Sequence, residues 1–159
     1  MTPYSALALQ MDCHAVNRLA DRAAVEQAMS DTLARVDQLI AGSKGFIGTF
    51  SGDALKLVVL PEYFLTSFPM GESIGEWRNK ACIAMDGPQY ERMSEIARSR
   101  GVYLSGNAYE LDPHFPDLYF QTSFYFQIRF YFQTLKVEAD LKVEAGLKVE
   151  AGCEWRSAR

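Results

Sequence analysis

The stretch that decides the fold is Lys56–Pro69, "KLVVLPEYFLTSFP". Leu57, Val58, Val59 and Leu60 run without a polar interruption, and Pro61 then ends the strand because it has no N–H to give to a sheet ladder. A short, continuous, partly β-branched run of this kind reads as a central strand covered on both faces, here Ala54–Leu60. Glu62 stands immediately beyond it, flanked by large hydrophobes, where a strand leaves a sheet. The question is why a carboxylate occupies that place.

Working outward, Ser5–Met11, "SALALQM", reads as a shorter apolar strand. Between the two strands, Asn17 offers an N-cap, and Val25, Met29, Leu33, Val36 and Ile40 recur at spacings of four, four, three and four, which is one face of a helix that Gly42 is expected to stop. On the other side, residues 71–87 are polar and Gly-rich. Pro88 then sits at a first helical position, and "PQYERMSEIARSR" places Met93, Ile96 and Ala97 on one side before Gly101 ends it. Val102–Glu110, "VYLSGNAYE", is a third strand. Strand, helix, strand, helix, strand with helical crossovers predicts an α/β layered domain with parallel neighbours.

Composition narrows the function class. A chain of 159 residues with 48% hydrophobic content suits one core. The net charge of −4 gives no basic footprint for nucleic acid. No apolar run approaches the about 18 residues of a membrane span, and no signal-peptide pattern opens the chain, so the expected setting is cytoplasmic. Cys13, Cys82 and Cys153 are an odd number at wide spacing, which fits neither a disulfide framework nor metal knuckles. Cys13 and His14 would point to opposite faces of a strand, so no metal and no cofactor is expected. His114 lies in a Pro-rich connection and reads as solvated, while Cys82 reads as a small packed hydrophobe.

From Tyr119 the chain repeats every six residues: YFQTSF, YFQIRF, YFQTLK, VEADLK, VEAGLK, VEAGCE. Six is a multiple of the strand period and not of the helical one, so the tail is strand-like in pattern. Its apolar face switches from the even positions Phe120–Phe132 to the odd positions Leu135–Val149 near Thr134, which requires a bulge or turn. With one charge in its aromatic half, the segment is a cross-β hazard wherever it is exposed. The expected division is therefore an α/β domain over 1–118, a hexad tail over 119–152 and a terminal segment over 153–159.

Glu62 is the first candidate for chemistry. Loops at the carboxyl ends of strands in an α/β sheet present polar groups to a crevice where ligands bind. Burial among Val59, Leu60, Tyr63 and Phe64 would disfavour its charged form, the adjustment that a general base working near neutrality needs. A capping or surface glutamate at a strand end would look the same in sequence.

The segments "ALALQMD", "LKLVVLPEYF", "DGPQYERMSEIARSRGVYLSGNAYELD" and "LYFQTSF" follow one another as they do in the nitrilase superfamily, the carbon–nitrogen hydrolases, which the chain resembles over residues 5–124. The resemblance implies an αββα sandwich, of which this chain holds about half, and a Glu–Lys–Cys triad that hydrolyses a non-peptide amide or a nitrile. It carries the base onto Glu62 and makes Lys136, in "FQTLK", and Cys153, in "GCEWR", the candidates for oxyanion stabiliser and nucleophile. Lys142 and Lys148 occur in equivalent repeats, and a lysine in such a repeat is usually a solvated charge. Cys153 comes early for the family's nucleophile, with six residues after it. The alternative is an inactive half-sandwich that self-associates through exposed strands, with homo-oligomers expected.

Overall fold

The computed structural model describes residues 3–127 and the backbone of two short strands, Val143–Glu144 and Leu147–Val149. Five strands and three helices make up the first part: β1 Ser5–Ala8, α1 Arg22–Phe50, β2 Leu55–Val59, α2 Ile74–Ala81, β3 Ile83–Ala84, α3 Pro88–Arg100, β4 Tyr103–Leu111 and β5 Phe120–Phe126. With β6 at Val143–Glu144 and β7 at Leu147–Val149, the sheet order is β1-β2-β4-β5-β7-β6, and β3 joins the far end of β4. The pairs β1–β2 and β2–β4 are parallel, as helical crossovers demand, whereas β4 and β5 run antiparallel. The α/β class expected from the strand and helix order is therefore the class observed.

Strand register sorts the side chains onto two faces. Val58 lies opposite Leu104, which lies opposite Phe126, and all three are buried with Phe124. Against them pack α3, through Tyr90, and α1, through Val25, Met29, Leu33, Val36 and Ile40. One residue along each strand, the other face carries Ala6 opposite Leu57 opposite Tyr103, and Ala8 opposite Val59 opposite Ser105 opposite Tyr125. Ala6 and Ala8 are exposed, and Val59 is 41% exposed. Among the described residues β2 is thus covered on one face and not on both, a correction to the reading of its unbroken apolar run. Among the described residues the architecture is one helical layer on one sheet.

Helix α1 corrects two further expectations. Its N-cap is Asp21, whose carboxylate accepts the Ala24 N–H at 2.9 Å, and not Asn17. Asn17 instead spends its amide on Phe68 O at 3.1 Å and on Glu72 at 2.9 Å. The helix also passes through Gly42 and ends only at Phe50. A helical glycine costs about 1 kcal/mol without breaking the hydrogen-bond ladder, and the added turns gain contacts: Lys44 Nζ donates to Arg100 O, and Phe46 and Phe50 pair at 4.4 Å.

Residues 71–87, read as a polar connection, hold α2. Ser73 caps it in a capping box with Glu76, and the helix buries Trp77 and Ala81. Helix α3 behaves as expected: Pro88 stands in its first turn, Gly101 ends it at φ 62°, and Met93, Ile96 and Ala97 are buried.

Candidate functional site

Strand β2 and the turn after it place Glu62. Leu60 N–H still donates to Ser105 O at 2.8 Å, the last rung toward β4 before Pro61 takes the chain out of the sheet. The chain then reverses sharply, with Thr66 N and Ser67 N both donating to Tyr63 O. Tyr63 lies at φ 56° and Ser67 at φ 65°, so two non-glycine residues close together adopt the left-handed region. For an aromatic residue this is an outlier costing on the order of 1–3 kcal/mol, and such strain is held by its surroundings.

Those surroundings come from β4. Asn107 Oδ1 accepts the Tyr63 N–H at 3.0 Å. The Tyr63 ring stacks on Tyr109 at 5.7 Å and 14°, and Tyr109 meets Trp77 edge-on. One residue further, Phe64 is fully buried and meets Phe124 edge-on at 6.2 Å. The turn is therefore pinned from both sides, by one ring in the core and another on the β4 tyrosine. A third tie comes from the loop that follows, where Glu72 accepts the Met70 N–H at 2.7 Å as well as the Asn17 amide.

Glu62 itself is exposed, not enclosed by Val59, Leu60, Tyr63 and Phe64 as its neighbours suggested. The physical reason is that Phe64 and Leu65 take the interior, while an unpaired carboxylate is kept in water by its desolvation cost. Its Oε1 accepts a hydrogen bond from Gln121 Nε2 of β5 at 2.9 Å. Gln121 sits opposite Tyr109 in the β4–β5 ladder, which brings it to the mouth of β2. Neither Asn107 nor Gln121 was singled out from sequence. The carboxamides in "GNAYE" and "YFQTSF" were visible, but nothing in the letters shows which turn they face.

Lys136, Lys142 and Cys153 lie outside the described residues, as does the switch of parity near Thr134. Lys148 lies on β7, where its backbone pairs with Thr122, the residue after Gln121.

The two described cysteines differ in setting. Cys82 is fully buried under α2, donates to Trp77 O at 3.8 Å, and has its thiol pushed up to about 12 by that burial. It packs as the small hydrophobe expected of it. The Cys13 thiol is also raised, by burial first and by the neighbouring Asp12 carboxylate second. The stretch holding Cys13 and His14 is not a strand, since β1 ends at Ala8. Burial also raises the Tyr109 phenol, with the adjacent Tyr63 adding to the effect. Among the described residues no three His, Cys, Asp or Glu side chains gather as a metal site, and no helix is long and apolar enough to cross a membrane.

No family model matches the sequence, and no curated protein matches it. The chain is similar to a solved structure of Saccharomyces cerevisiae Nit3, a member of branch 10 of the nitrilase superfamily, at a TM-score of 0.47 and 24% identity. That match covers 63% of this chain and 35% of the other, so this chain spans about a third of the length of that structure.

Proposed function

We propose that Glu62 is the general base of a carbon–nitrogen hydrolase of the amidase or nitrilase type, acting in the cytoplasm on a small-molecule amide or nitrile. The observation that carries the proposal is the placement of Glu62. It stands at the carboxyl end of a parallel strand, on a turn whose next residue is held in a left-handed conformation, with one carboxylate oxygen fixed by Gln121. Strained backbone beside a presented carboxylate is a pattern of active sites.

In this reading Glu62 takes the proton of the Cys153 thiol as the thiolate attacks the carbonyl carbon of an amide. Lys136 stabilises the tetrahedral oxyanion, and the same proton passes to the departing amine. Water then attacks the thioester as Glu62 accepts its proton, the tetrahedral intermediate expels the Cys153 thiolate with release of the acid, and Glu62 returns that proton to the sulfur to restore the thiol.

Intact-mass labelling with a slow thiol electrophile from pH 5 to 9, on the native chain and on Glu62→Gln, tests this together with ammonia release from simple amides. The expected result is one thiol, mapped to Cys153, that reacts below the ordinary cysteine range and slows when Glu62 is replaced. Three thiols that react only as ordinary ones, with no ammonia released, would rule the reading out.

A second reading is favoured by the sheet face that no described residue covers. Ala6, Ala8 and Val59 are exposed there beside the stacked pair Tyr103–Tyr125, whose centroids are 5.7 Å apart. An apolar face of this kind suits an inactive fragment that self-associates, one copy against another.

A further inference from the structure

We infer that Gln121 is a positioning residue for Glu62, and that it works with Asn107 to hold the carboxylate in one orientation at the mouth of β2. The inference rests on the hydrolase reading above and deepens it by adding the groups that present the base.

Two carboxamides from neighbouring strands reach the same turn. Asn107 of β4 fixes the backbone through the Tyr63 N–H, and Gln121 of β5 fixes the side chain through Glu62 Oε1. The β4–β5 register sets their offset, with Asn107 opposite Ser123 and Gln121 opposite Tyr109, so the antiparallel pair delivers both groups to one spot. Among the described residues no hydrogen bond reaches Glu62 Oε2, so that oxygen is the one presented for proton transfer.

Each choice of residue has a physical reason. A free glutamate on a surface samples several rotamers, and a base must have its lone pair aimed before the proton moves. A carboxamide donor restricts that rotation without adding charge, whereas a lysine or arginine in the same place would hold the carboxylate ionised and weaken it as a base. Pro61 before Glu62 and the left-handed Tyr63 after it leave the backbone little freedom, so the remaining freedom lies in the side chain that Gln121 holds.

The test uses the full chain, with Gln121→Glu keeping the shape of the side chain while removing its N–H donors. Gln121→Ala serves as a second variant should the paired carboxylates disturb folding. The first readout is the Gln121 side-chain amide signal by NMR, which is expected to shift on Glu62→Gln. The second is turnover of a simple amide, with kcat expected to fall ten- to a hundredfold, on the order of other small misplacements, at nearly unchanged KM. An amide signal indifferent to Glu62→Gln overturns the proposal. So does wild-type turnover that Gln121→Glu and Gln121→Ala leave intact, in which case the hydrolase reading stands alone. A signal that shifts in a chain with no turnover sinks the hydrolase reading itself and, with it, any positioning role for Gln121.

Discussion

Asp37 on α1 accepts a hydrogen bond from Arg100 Nε on α3 at 2.6 Å, and its other oxygen takes Arg92 Nη2 at 3.0 Å. One carboxylate thus ties the two helices that cover the sheet. The Arg100 hydrogen bond above all, with the charges of Arg100 and Arg92 adding to it, holds the Asp37 carboxyl below its ordinary range against the opposing effect of burial.

Asp37→Asn is expected to destabilise the chain by about 1 kcal/mol at pH 7, since both arginines are only half-buried and water screens the pair. The sign in pH follows from the lowered folded value. The contribution is complete above the unfolded carboxyl value of about 3.9 and is lost as pH falls through the folded one. Urea unfolding of wild type and variant at pH 7 and pH 3 checks this. A difference that stays the same at both pH values would contradict it.

Gly106→Ala is expected to cost about 1–3 kcal/mol by overpacking. An added Cβ would sit 2.8 Å from Phe124 Cζ and 3.2 Å from Leu60 Cβ, inside the layer between sheet and helices. The Phe124 ring already touches Phe64, Tyr90 and Phe126, so it has little room to yield. A variant whose urea midpoint matches wild type would show that the ring moves freely.

Cys82 is expected to resist iodoacetamide at pH 8 while the chain is folded, because a thiol raised to about 12 is thiolate in only about one part in ten thousand. In urea it should react as an ordinary cysteine. Peptide mapping after timed labelling reads this directly, and rapid labelling of the folded chain at Cys82 would mean that α2 opens readily.

The sheet face left uncovered among the described residues leads to a prediction of dimers or larger assemblies at micromolar concentration. Val59→Lys places a charge at an exposed position in the middle of that face and is expected to shift the population toward monomer. Light scattering on both chains decides the matter. A wild-type monomer at that concentration removes self-association through this face.

Much of the architecture can be read from local pattern. The apolar run before Pro61, the recurring Val25–Ile40 face and the Pro88 and Gly101 punctuation each state their element within a few residues, because strand and helix periods are local properties. The exceptions share a cause. Asp21, next to the first turn at Arg22, caps α1, while the Asn17 side chain is oriented by its amide contacts with Phe68 O and Glu72, far along the chain. Gly42 failed to stop α1 because contacts at Lys44 and Phe46 favour further turns.

The candidate site divides in the same way. That Glu62 follows a strand and a proline is a fact of sequence, and so is the chemistry open to a carboxylate there. Whether it is buried, which oxygen is held and by what depends on the approach of Asn107 and Gln121 from β4 and β5, 45 and 59 positions away by the numbering. Periodicity carries no information about such distant pairings, since the β4–β5 register that brings them together is set by packing of the whole sheet against α1 and α3.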